Sequence, residues 1–160
     1  MQPNLNPIGR IQSPFNDIEG MPIQPPGAAE VAGEIVIDPA FEPGLCSLEE
    51  FSHIFVLYWF HRCKGVKLKV KPFMDDAVHG VFATRAPCRP NPIGLSVVEL
   101  IGREKNTLKI RGVDILNGTP VLDIKPYVPK FDAPRVRAIG WLAQNHDKAE
   151  RIRSDDRFRS

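Results

Sequence analysis

The sequence predicts a mainly β fold, a small, closed or nearly closed antiparallel barrel carrying a short capped helix and a C-terminal helix. Three observations lead there. Short apolar stretches rich in β-branched and aromatic residues recur along the chain, turn signals separate them, and only the last thirty residues show a sustained helical period. The 160 residues are enough for one domain with a real core, read as a single unit over 1–160 with its barrel over about 8–132.

Taken in order, residues 8–11 read as a strand entering the fold. A long proline-rich loop follows, containing Met21, Pro22, Ile23, Gln24, Pro25 and Pro26, and loops of that length inside a compact domain are usually functional or disordered. Residues 31–37 form the next strand. Ser47 with Glu50 three positions on is a capping-box pattern, predicting a short helix to about His53. Residues 54–60 are continuously β-branched or aromatic and predict a central, fully buried strand. Lys67, Lys69 and Lys71 alternate with Leu68 and Val70, which suits a strand edge kept soluble by lysine or a face that tracks phosphates. Residues 80–83 and 95–101 read as strands flanking a proline-rich loop. Residues 107–115 alternate apolar and basic with Gly112 as a candidate bulge, Asn117-Gly118 marks a tight turn, and residues 119–125 are another strand. Pro134 opens a helix over about 134–152, with Val136, Ile139, Leu142 and Ala143 on one face.

Composition narrows the function. A net charge of +2 neither demands nor excludes a polyanionic partner. Cys46, Cys63 and Cys88 are odd in number and lack a Cys-x-x-Cys pair, and the four histidines lack metal-ligand spacing, so neither a disulfide framework nor a metal site is expected. No apolar run is long enough to cross a bilayer and the start lacks a secretory pattern, which predicts a cytoplasmic protein without membrane contact. Phosphate-binding glycine loops and nucleophile elbows are absent, so any nucleotide-like cofactor is held by an unusual device.

The most informative stretch is residues 80–96. Pro87, Pro90 and Pro92 fix φ and restrict the residues before them, so Arg85, Arg89 and Asn91 are presented on a stiff backbone with little entropy left to lose on binding. A rigid connection whose arginines are merely solvated fits the composition equally well. Asn91 suits an Asx-type turn better than catalysis.

The blocks at residues 50–54, 59–61, 80–85, 89–96 and 118–127 together resemble the TrmO family, also called TsaA-like. The resemblance spans about residues 8–132. It implies a small β-barrel that dimerises, binds S-adenosylmethionine without a Rossmann sheet, and methylates N6 of the threonylcarbamoyl-adenosine next to the anticodon in a tRNA anticodon loop. Carried over by motif, the cofactor site comprises Pro22, Ile23, Gln24, His61, Arg62, Arg85, Leu95, Asp114, Ile115, Leu116 and Asn117. Arg89 and Lys125 are candidates to fix the substrate's carboxylate, and Asp123, Tyr127 and His61 to handle the proton. Asp123 and Lys125 also suit an ordinary exposed pair on one strand face. Bacterial members commonly carry Arg where Ile23 stands and Ser where Ala86 stands. Two other functions fit the same residues: methyl transfer to a different acceptor, and a non-catalytic module that binds S-adenosylmethionine or RNA.

Overall fold

A computed structural model of the chain describes residues 4–158. Eight strands form among these residues: β1 (Gly9–Gln12), β2 (Ala32–Ile37), β3 (His53–Trp59), β4 (Lys69–Val70), β5 (His79–Gly80), β6 (Ile93–Glu104), β7 (Thr107–Arg111) and β8 (Pro120–Pro126). Six of them close into an antiparallel barrel in the order β1-β2-β7-β6-β3-β8, and β8 returns to β1 through Gly9 opposite Val121. The separate β4–β5 ladder is two residues long.

Alternation builds the core. Ile11, Ile35, Ile37, Ile54, Val56, Val98, Leu108, Ile110 and Val121 point inward and are almost fully buried. The run read as a wholly buried strand is β3, and it is buried on one face only. Ile54, Val56 and Tyr58 are inside, while Phe55, Leu57 and Trp59 are half-buried on the outer wall. A closed sheet covers its inner face alone, so the outer apolar residues wait on something outside the barrel. They meet matching neighbours, because Phe55 lies opposite Val97, Leu57 opposite Leu95 and Trp59 opposite Ile93.

The helices are shorter than the sequence pattern predicts. Ser47 sits in left-handed backbone (φ 67°) and its side chain caps nothing, so Leu48–Glu50 makes one 3-10 turn before the chain extends into β3. Glu49 instead reaches Arg103 at 3.5 Å. The four-residue α1 (Pro129–Asp132) ends before Pro134, and the helix expected over 134–152 is replaced by two 3-10 turns, Gly140–Gln144 and His146–Glu150. Gly140 takes a positive φ of 61°, which interrupts a right-handed helix, and Val136 is exposed. The stretch predicted as a strand over residues 80–83 is mostly the 3-10 turn Val81–Ala83. Of the lysine row only Lys69 lies in a strand, where Val70 is buried but Leu68 exposed.

Cys63 and Cys88 form a disulfide with Cα atoms 5.5 Å apart, which corrects the expectation of three unpaired thiols. It lies within a second small core of Val70, Val81, Ala86, Cys88 and Phe158, with Phe73 packed against it. The tail thereby folds back on the proline-rich loop. Gly20 N–H donates to Ser154 O, Ser154 N–H to Met21 O, and Trp141 Nε1–H to Ala83 O, the two backbone bonds at 2.8 Å and the indole bond also at 2.8 Å.

Candidate functional site

One end of the barrel opens into a cavity of about 980 Å³, walled by β3, β6, the turn after β7, both proline-rich loops and the tail. That is the upper end of the range for small-molecule pockets, roughly 300–1,000 Å³.

The second proline-rich loop is rigid by more than its prolines. Thr84 Oγ1–H donates to Val81 O (2.8 Å) and accepts from Ala86 N–H (3.2 Å), while Arg89 Nη1 donates to Thr84 O and Ala86 O at 3.0 and 3.1 Å. Arg89 therefore braces the loop, although it also lines the cavity. The braced loop presents Arg85 at the mouth, with Nη1 donating to Gln24 Oε1 at 2.7 Å and so tying the two loops together.

Deeper in, Ser96 Oγ–H donates to Asp114 Oδ1 at 2.7 Å, and the Tyr58 hydroxyl lies 3.2 Å from the same Oγ. All three residues are buried, at 6%, 2% and 9% exposure for Tyr58, Ser96 and Asp114. Burial pushes the Asp114 carboxyl up to about 6, against the opposing pull of the Ser96 hydrogen bond and Arg85. Burial, then the charge of Asp114, pushes the Tyr58 phenol upward, so it keeps its proton. On the rim, partial desolvation lowers the His61 imidazole below its ordinary value, which leaves it neutral at neutral pH.

Of the residues singled out in the sequence, Pro22, Ile23, Gln24, His61, Arg62, Arg85, Leu95, Asp114, Ile115, Leu116 and Arg89 line this one cavity. Asn117 does not; its side chain accepts from Ser13 N–H at 3.2 Å and donates to Asn16 at 2.9 Å, fastening the N-terminal loop. Asp123, Lys125 and Tyr127 also lie outside the cavity lining. Asp123 and Lys125 pair at 2.8 Å on the outer wall beside Leu57 and Phe55, and Tyr127 stands edge-on to Phe55. Ala86, where a hydroxyl was expected to be missing, is buried in the small core.

Tyr58, Ser96 and the tail residues Trp141 and Phe158 also line the cavity and were not legible as site residues. Ser96 carried a signal: it is the polar member of an inward row, Gly94, Ser96, Val98 and Leu100, that is otherwise without polar side chains. The tail carried none, since its partners are distant in sequence, 58 positions from Trp141 to Ala83 and 95 from Phe158 to Cys63.

A family profile described as the tRNA-methyltransferase O N-terminal domain matches residues 10–133. A probable S-adenosyl-L-methionine-binding protein of Pyrococcus abyssi is 55% identical over 152 residues, covering 95% of this chain and 83% of that protein. The human tRNA (adenine(37)-N6)-methyltransferase is 38% identical over 81% of this chain, which spans only 31% of the human protein. Among solved structures, TrmO from Pseudomonas aeruginosa superposes with a TM-score of 0.74 at 41% identity, covering 88% of this chain and 63% of that one.

Proposed function

This chain belongs to the family of the tRNA-methyltransferase O N-terminal domain, and from that premise we propose that it is an S-adenosylmethionine-dependent tRNA methyltransferase acting on N6 of the threonylcarbamoyl-adenosine next to the anticodon. The observation that carries the reading is the cavity itself, which sets a guanidinium, Arg85, at its mouth and a buried carboxyl, Asp114, deeper in its wall. Those opposite charges suit a zwitterionic amino acid attached to a flat nucleoside. The volume leaves room for an acceptor base beside the cofactor.

S-adenosylmethionine supplies a methyl group already activated on a sulfonium. The protein's work is binding, orientation and proton handling. Arg85 takes the cofactor carboxylate, the backbone around Pro22 and Gln24 and around Asp114 reads the adenosine, and Phe60, Ile93 and Leu116 exclude water. Arg62, exposed on the rim, supplies the cation for the substrate's carboxylate, a role for which Arg89 is less free because Nη1 serves the loop carbonyls. Neutral His61 is the cavity-lining group placed to hold the acceptor's proton.

Asp123, Lys125 and Tyr127 contribute to the reaction through a dimer. The outer wall of β3 and β6 beside them is apolar, with Leu95 half exposed and also lining the cavity. A partner copy seated there brings its own three residues toward this cavity. Such an enzyme works in the cytoplasm, where tRNA is found.

The test is nucleoside mass spectrometry on threonylcarbamoylated tRNA incubated with S-adenosylmethionine. Wild-type protein is expected to add one methyl to the modified adenosine and Arg85→Ala to lose about 10- to 100-fold, as a hydrogen bond to a charged group is worth roughly 1.5–3 kcal/mol. A second reading, a module that binds S-adenosylmethionine without transferring methyl, draws support from relatives named only as S-adenosyl-L-methionine-binding proteins. Tight cofactor binding with unchanged tRNA would select it.

A further inference from the structure

The two hydroxyls beside Asp114 form a directed chain. A serine hydroxyl has one proton, and Ser96 gives it to Asp114 Oδ1. The 3.2 Å bond between Tyr58 and Ser96 is then made by the phenol proton, donated to Ser96 Oγ. Both donors lie at 6% exposure or less, where an idle polar group costs stability and an apolar residue would pack more simply. The strands make room for the chain. Gly94 lies opposite Tyr58 in register, and a Cβ at Gly94 would overlap the Tyr58 ring, so glycine lets the ring lie across β6 and bring its hydroxyl to Ser96. Three positions on two strands thus serve one carboxylate oxygen.

Asp114 is buried but lines the cavity, so the part of it that remains exposed faces the ligand. The charged and titratable groups that act on it are Tyr58 from β3 and Arg85 from the proline-rich loop, with His61, Arg62 and Arg89 elsewhere on the cavity wall. Arg85 is itself engaged by Gln24.

We propose that Ser96 and Tyr58 are positioning residues, which hold Asp114 through Oδ1 in its anionic form so that its carboxylate meets a cationic centre of bound S-adenosylmethionine. The inference rests on the functional reading above and goes further by naming the groups that prepare the carboxylate. The ligand carries two cations, an ammonium and a sulfonium. Only the sulfonium disappears on methyl transfer: the sulfur–carbon bond breaks with its electron pair going to sulfur, and the product S-adenosylhomocysteine is a neutral thioether with the same ammonium.

Calorimetric titration of the full chain with S-adenosylmethionine, from about pH 5.5 to about pH 9, tests this. Wild-type affinity is expected to rise with pH as Asp114 ionises around 6. In Ser96→Ala the hydrogen bond that favours the anion is gone, Asp114 ionises at higher pH, and affinity falls about 10-fold near neutrality but recovers as the pH rises. Tyr58→Phe keeps the ring packed and shifts the profile the same way by less, and it serves if Ser96→Ala does not fold. A loss of equal size at every pH, or no loss, overturns the proposal, since mere loosening of the site does not titrate. S-adenosylhomocysteine separates the two cations: if Asp114 faces the ammonium, its affinity follows the same pH profile, and if the sulfonium, its affinity is flat. A wild-type protein that binds no S-adenosylmethionine overturns the functional reading and this inference with it, whereas normal binding with a pH-independent loss in both variants overturns this inference alone.

Discussion

Asp114 shows what burying a single carboxyl costs a fold. Its carboxyl is raised from an ordinary value near 3.8 to about 6 in the folded protein, so the folded state holds its proton over a range in which the unfolded chain has released it. The ligand-free protein therefore loses stability as the pH rises from about 4 to about 6, by roughly 3 kcal/mol, because each tenfold difference in proton affinity between the two states is worth about 1.36 kcal/mol. Below that window both states are protonated and the cost is absent. Asp114→Asn is expected to be more stable than wild type at neutral pH, with the two converging near pH 4, and urea denaturation at both pH values checks it. The difference between the two proteins is the right quantity, because Asp75 and Asp155, held low by His79 and Arg157 respectively, act oppositely in acid and cancel in it. Arg85 and Asp114 were legible in the sequence through their motifs. Tyr58 was not, because an aromatic residue in an apolar run looks like core until its hydroxyl is seen to reach across to Ser96.

At the scale of elements, the strands were legible because alternation is local, and the loops and tail were not because their partners are distant. Residues 8–11, 31–37 and 119–125 became β1, β2 and β8 within a residue or two. The capping box at Ser47 and the amphipathic pattern after Pro134 failed for the same reason: three residues before a strand, or a glycine with positive φ, leave no length for an α-helix. The disulfide joins two elements that the sequence places 25 residues apart, the segment after β3 that carries His61 and Arg62 and the loop that carries Arg85 and Arg89. It also sits against the tail, since both sulfurs lie near Phe158 O. Closing a loop of that length is worth about 3.5 kcal/mol in the chain-entropy model. Cys63→Ser with Cys88→Ser is therefore expected to lower the free energy of unfolding by that amount. It is also expected to weaken S-adenosylmethionine binding, because the cavity wall loses its covalent tie. Unchanged affinity alongside the lost stability would assign the bond to the fold alone.

For the whole molecule, the question the barrel leaves open is what covers its outer wall. Phe55, Leu57, Trp59, Ile93, Leu95 and Val97 make three facing rows across β3 and β6; Phe55, Ile93, Leu95 and Val97 also line the cavity, and of the six Leu95 is the one left half exposed. The sequence hid this: a continuous apolar strand reads as buried on both faces, whether the second face is covered by the same chain or by another. The proposed isologous pair would cover both copies of the wall at once and set Asp123, Lys125 and Tyr127 at the seam. Light scattering is expected to give twice the 17.9 kDa protomer mass for wild type and one protomer for Leu57→Asp, whose new charge would be buried without a partner. In the proposed dimer Arg85→Ala is expected to disable the cofactor end of a cavity, and Tyr127→Phe to remove a hydroxyl that each protomer would lend to its neighbour. Mixed and re-associated, two such variants, each inactive alone, form heterodimers in which one of the two cavities has both groups intact. Recovered methyl transfer in the mixture would establish that the cavities are completed across the interface, and continued inactivity would confine each site to a single chain.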